Sequence, residues 1–315
     1  MNYILTLFIV QFVLILLGFV GFIFAINIVK NYNPEISSTK QFNLAKNGYL
    51  ISTIIAFILI VKLPLFLYFI WTMDEISGFV PGAMCAAGIV SATNYGVPMF
   101  FIKIINLFLL SAWLLVHFED SKTIDSKFLK LKFKLFLPLF ALLVVEFVLE
   151  ILHFKGISLE RPVLCCSDLF STLPDSKLKF WYSSGFLLSS FYIFFIALFV
   201  SAYFKIDIFV GFFSPVFMII SWQALIRFFS PYIYELPTHK CPYCLLQGDY
   251  GYVGYFVYIL IFIGTLPGLF VFILEILNRE QNPYLYKISM VANSILVLLL
   301  SYYPLAYYIK NGVWL

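Results

Sequence analysis

The sequence predicts an all-α fold, a polytopic membrane helix bundle of about eight transmembrane helices. Two features of composition and one of pattern predict it. Hydrophobic residues make up 63% of the chain and charged residues only 11%, whereas a soluble domain carries roughly 25% charged residues. The pattern is a set of eight apolar stretches. Each is long enough for the roughly 20 residues that a helix needs to cross a hydrocarbon core about 30 Å thick. They cover residues 4–28, 49–71, 97–118, 133–153, 181–204, 208–230, 255–277 and 287–309.

The first segment has no Lys or Arg before it and no small-residue cleavage site after it. It also exceeds the 7–15 residues of a signal-peptide core, so it is expected to stay as a spanning helix. Pro64, Pro138, Pro215, Pro267 and Pro304 fall inside later segments. Membrane helices tolerate this where neighbouring helices satisfy the freed backbone groups. Only Lys205, Ile206 and Asp207 separate the fifth and sixth segments, which predicts a tight helical hairpin. No internal repeat and no soluble domain stands out, so 1–315 reads as a single membrane domain. The net charge of +4 is small, and no basic cluster interleaved with polar groups points to nucleic acid. The partner that composition implies is the lipid bilayer.

Orientation follows from the excess of Lys and Arg in cytoplasmic connections. Connections one–two, three–four, five–six and seven–eight hold eleven basic residues, among them Lys40, Lys46, Lys127, Lys130, Lys132 and Lys134. The opposite side holds six: Lys155, Arg161, Lys177, Lys179, Lys240 and Lys310. The first set is expected in the cytoplasm, with both termini outside. Trp71, Trp181, Tyr182, Tyr232 and Tyr234 fall at segment ends, where aromatic belts form.

That parity places the connections 72–96, 154–180 and 231–254 on one outer face. All five cysteines lie there: Cys85, Cys165, Cys166, Cys241 and Cys244. Buried structural cysteines behave as small hydrophobes and would be expected inside the long apolar helices too, yet those hold none. The distribution favours a shared site. An odd count also leaves one thiol over after two disulfides, which suits exchange chemistry or metal binding.

The strongest local signal is His239-Lys240-Cys241-Pro242-Tyr243-Cys244. Proline favours the first helical position, so a helix starting at Pro242 would place Cys241 at its N-cap. There the helix dipole and open amides favour a thiolate. The alternatives are a disulfide between Cys241 and Cys244 or a metal knuckle. The adjacent Cys165 and Cys166 would form a strained ring with each other, and suit soft metals or separate partners better. Met84 and Cys85 are both soft ligands, and the surrounding Gly and Ala residues allow a re-entrant turn or simply a tight loop.

The fourth segment carries Glu146, Glu150 and His153 on one helical stripe. A carboxylate at mid-bilayer costs about 2.5–3.5 kcal/mol even on the lenient insertion scale, and marks a functional site by default. Lys62 and Lys103 are candidate partners. The group reads either as ion pairs that fix helix packing or as a proton route toward the outer thiols. Gln223 and Arg227 lie one turn apart at the outer end of the sixth segment.

Four residues, Cys241-Pro242-Tyr243-Cys244, resemble the redox motif of glutaredoxins. The Cys165-Cys166 pair is similar to that of mercury-transport membrane proteins. An outer His-x-Cys-Pro-x-Cys-Leu-Leu-Gln run, a Cys-Cys pair and a Gly-Ala-Met-Cys loop together resemble a bacterial family of uncharacterised multi-helix membrane proteins. That resemblance implies a bacterial inner membrane and carries no activity. The design also resembles the DsbB and vitamin K epoxide reductase families, quinone-linked disulfide formers that join a helix bundle to an outer CxxC. Here there are eight segments rather than four or five, and the CxxC comes late.

Three functions are therefore expected, in this order. The first is thiol–disulfide exchange: Cys241 attacks, Cys244 resolves, and Cys165, Cys166 or Cys85 passes electrons on, with a quinone as oxidant near Arg227 and a periplasmic thiol protein as partner. The second is binding or transfer of copper(I) by Met84, Cys85, Cys165, Cys166, His239, Cys241 and Cys244, with a metal-carrier protein as partner. The third is a non-catalytic membrane subunit with structural disulfides.

Overall fold

A computed structural model describes residues 2–33, 36, 38–122, 128–160, 162–163 and 183–315. Among the described residues all regular structure is helical, and eight helices are long and apolar enough to cross a membrane. In chain order these are α1 (Asn2–Asn31), α2 (Thr39–Ser77), α4 (Gly96–Ser121), α5 (Leu129–Gly156), α6 (Ser184–Tyr203), α7 (Asp207–Tyr234), α8 (Val253–Ile276) and α9 (Pro283–Asn311). A short helix, α3 (Ala86–Ser91), lies between α2 and α4.

The helices run past the apolar stretches because caps, and not hydropathy, set helix ends. The difference is largest in α2. Ser38 caps its start by accepting from the Gln41 amide, so the polar turns from Thr39 to Asn47 are helical as well. Its other end runs on through Asp74 and Glu75, which puts Trp71 inside the helix and not at its end. In α9, Asn282 accepts from the Tyr284 amide and Pro283 takes the first helical position. Trp181 and Tyr182 lie outside the described residues. All five expected prolines sit inside helices.

Two corrections concern the basic residues counted as connecting loop. Lys40 and Lys46 are in α2, and Lys130, Lys132 and Lys134 are in α5. Lys132 is also buried, 2.6 Å from Asp120. Its ammonium is held by a carboxylate in the protein, so it does not stand free at the membrane surface. Lys127, Arg161, Lys177 and Lys179 lie outside the described residues.

The chain divides into two compact units, Met1–Val163 and Leu164–Leu315. In the first, α1 packs on α2 and α5, and α4 packs on α2 and α5, so the four spanning helices close a ring. The small helix α3 rests on α2 and α4. The core holds Leu7, Ile55, Leu59, Phe69, Trp113 and Phe136, all buried. In the second, α7 packs on α6 and α8, and α9 packs on α6 and α8, again closing a ring of four. Phe191 lies at its centre, its ring 5.4 Å from Phe217 and 5.2 Å from Phe229.

The α6–α7 hairpin has the expected tight turn, with Lys205 in the left-handed region and the Ile206 amide donating to Ser201. The second unit also relies on close helix approach. A Cβ on Gly268 would lie 1.8 Å from Ser214 Oγ, so only glycine lets α7 and α8 meet there. Toward its C-terminal end α7 loosens into a π turn at Leu225–Phe229.

Candidate functional site

Residues 235–252 connect α7 to α8 and carry the CxxC pair. The connection starts at Glu235, left-handed at φ 53°, which ends α7. It then folds as two three-residue 3-10 turns, Cys244–Leu246 and Gly248–Tyr250. No α-helix begins at Pro242, contrary to expectation. The first helical turn starts at Cys244 and stops at Gln247, which is extended at ψ 156°. Gly248, the 3-10 turn it opens and left-handed Gly251 follow too soon for an α-helix to grow. Cys241 therefore lacks the aligned dipole that would favour its thiolate.

The connection is instead held by neighbouring aromatic residues. The Tyr234 hydroxyl, in the last turn of α7, donates to the Cys241 carbonyl. The Tyr258 hydroxyl, on α8, donates to the Pro242 carbonyl at 2.6 Å. The Tyr234 ring meets the His239 and Tyr250 rings edge-on, each at 4.4 Å. Leu245 backs onto Gly254 of α8, where a Cβ would come within 2.8 Å of its backbone.

Cys241 and Cys244 are thereby buried, with 0% and 4% exposure. Both are present as thiols, with their sulfurs within 4.8 Å of one another. His239 Nε2 is buried without a hydrogen-bond partner among the described residues. Arg227, the expected quinone contact, is half-buried in the π turn.

Cys85 lies in the first unit, at the N-cap position of α3, and is fully buried as a thiol. The turn before it depends on Gly82, whose φ of +82° and close approach to the Val163 backbone leave no room for a side chain. The Val163 amide donates to Pro81 at 2.9 Å. Met84 is 68% exposed, so it is turned away from the interior that buries Cys85. Cys165 and Cys166 lie outside the described residues.

The expected stripe on α5 is present inside the first unit, and Glu146, Glu150 and His153 are all buried. Lys103 on α4 bridges the two carboxylates, 2.9 Å from each. Lys62 on α2 adds a second ammonium, 3.1 Å from Glu146. Two groups not read from the sequence complete the cluster: Gln11 on α1 donates to Glu150 at 3.1 Å, and Asn106 on α4 donates to Glu146 at 2.6 Å. A signal was available, since a Gln or Asn inside an apolar span needs a reason. His153 stands one turn beyond Glu150, with Nδ1 2.6 Å from the Thr93 hydroxyl.

Comparison of the chain with protein-family models, with curated proteins and with solved structures returns no match.

Proposed function

We propose that the protein binds a soft metal ion of the copper(I) class through the thiolates of Cys241 and Cys244. The observation that carries this reading is the pair of buried sulfurs within 4.8 Å of one another. Two thiolates sharing an ion at about 2.3 Å each stand at most about 4.6 Å apart. Soft thiolates select copper(I) over harder ions, and each thiol gives up its proton on binding. Burial and the missing helix N-terminus both weaken the case for direct attack on a protein disulfide.

Crossing parity assigns the connections bearing Cys85, Cys165 and Cys166 to the same membrane face as Cys241. His239 offers an unpartnered nitrogen. The excess of basic residues in the other connections and the helix ends that flank them, Lys132 apart, supports an outer placement, with a metal-carrier protein as partner. Thiol–disulfide exchange, linked to a quinone near Arg227, is the second reading. The Cys241-Pro242-Tyr243-Cys244 sequence with its neighbouring sulfurs favours it.

The reduced, detergent-purified protein is titrated with copper(I) against a chromophoric chelator, and X-ray absorption reads the donor atoms. The expected result is one copper per chain in a sulfur shell, lost in Cys241→Ser and Cys244→Ser. A protein that retains no copper, forms a Cys241–Cys244 disulfide and is trapped as a mixed disulfide through Cys244→Ser would replace this reading by exchange.

A further inference from the structure

The interior of the first unit holds an interrupted row of buried ionisable groups whose ends lie a membrane's depth apart. On α5 the buried polar positions are Lys132, Glu146, Glu150 and His153. Twenty-one residues separate Lys132 from His153, about 32 Å of helix, which matches a hydrocarbon core about 30 Å thick. At one end Lys132 pairs with Asp120 at 2.6 Å, and His117, one turn before Asp120, stacks on Trp113. Between the ends, nearer His153, stand Lys62, Lys103, Glu146 and Glu150, and fourteen residues, about 21 Å of helix, separate Glu146 from Lys132.

The middle cluster has more than matched charges. A cavity beside it is lined by Gln11, Lys62, Lys103, Asn106 and Glu146, with room for about one water molecule. Gln11 and Asn106 must direct their amide nitrogens at the carboxylates, because an ionised carboxylate only accepts. Their carbonyl oxygens are buried and have no hydrogen-bond partner among the described residues. A buried acceptor left unpaired costs about 1–3 kcal/mol, so the cavity calls for a donor. A second, apolar cavity, lined by Leu14, Gly18, Phe136, Phe140 and Leu143, touches Lys62 from the other side. It lies in the one apolar stretch that interrupts the row.

We propose that the first unit conducts protons across the membrane along this row, through water held by Gln11 and Asn106. The groups identify the ion. An alkali cation entering here would meet the ammonium groups of Lys62 and Lys103, whereas amines, carboxylates, imidazoles and water all pass protons on. A proton taken from water at the His153 end is handed along Glu150, Lys103, Glu146 and Lys62. It crosses the apolar stretch, about 21 Å of helix, by a transient file of several waters and leaves to water beyond the Asp120–Lys132 pair. No bond other than O–H or N–H is made or broken, and a counter-ion carries the compensating charge. The route is independent of the metal site.

The full chain is reconstituted in vesicles that contain potassium and a trapped pH dye, and valinomycin sets the driving potential. The expected wild-type proton flux is at least tenfold above that of protein-free vesicles. Glu146→Gln lowers it at least tenfold while copper binding through Cys241 and Cys244 stays at the wild-type level. Leu143→Ala, which widens the apolar stretch without touching an ion pair, raises the flux severalfold. Wild-type flux at the protein-free level overturns the proposal. So does unchanged flux in Leu143→Ala, which assigns the cluster to packing alone.

Discussion

The two units solve one problem with different chemistry. Each closes four spanning helices into a ring, and each places cysteine in the connection between its second and third spans. The first fills its interior with charge: Lys62, Lys103, Glu146 and Glu150 are all at most 5% exposed. The second joins its helices largely with small and neutral groups, with the Tyr286 hydroxyl on the Asp207 carboxylate where α9 and α7 begin. Ser289 Oγ and Asn293 Nδ2 donate to the Gly264 carbonyl at 2.8 and 3.2 Å, in the stretch of α8 that Pro267 interrupts. Glycine and serine suffice to pack helices in lipid. The charges of the first unit therefore exceed what packing requires, and this difference makes them a functional candidate.

The comparison is most exposed to failure at Lys103. Lys103→Met leaves Glu146 and Glu150 short of their shared ammonium and should cost about 3–5 kcal/mol, as for other buried pairs broken on one side. Denaturant titration in mixed micelles measures it. Lys103→Met combined with Glu150→Leu should recover part of the loss. A single-variant cost no larger than that of a surface pair would erase the contrast between the units.

In the second unit the largest effect should come from Gly268→Ala, whose methyl collides with Ser214. Overpacking of this kind costs about 1–3 kcal/mol, and adding Ser214→Gly should restore stability in the same titration. Asn293→Ala removes the interhelical hydrogen bond to Gly264 and should cost about 0.6 kcal/mol, the usual size for such bonds in membranes. Lys310 and Glu235 pair at 2.8 Å but are 63% and 52% exposed. Lys310→Ala should change stability by less than about 1 kcal/mol, and a larger change would mean that burial is not what separates the two kinds of pair.

Much of this was legible in the sequence. Apolar run length locates the eight spanning helices among the described residues, because lipid imposes a minimum length whatever the tertiary contacts. The α5 stripe was legible for a similar reason, since glutamates inside an apolar run are too costly to be incidental. Other features depend on folded contacts that hydropathy does not encode. The nine-residue polar start of α2 depends on a cap at Ser38. Lys132 resembles an interfacial lysine until Asp120, twelve residues earlier, meets it. The Cys241–Cys244 segment looked like a helix start because Pro242 suits one. The local outcome was set by Gln247 and Gly248 downstream, and by two tyrosine hydroxyls that arrive from separate helices.

The π turn at Leu225–Phe229 has its own consequence for the thiol pair. A π turn inserts one residue into the helical count, and each residue of an α-helix advances the azimuth by about 100°. Deleting one residue there would swing Tyr234 roughly a quarter-turn around the α7 axis and take its hydroxyl off the Cys241 carbonyl. The loosened turn thus acts as a phase shifter, aiming a residue at the end of a rigid rod toward a loop that an ideal helix would miss.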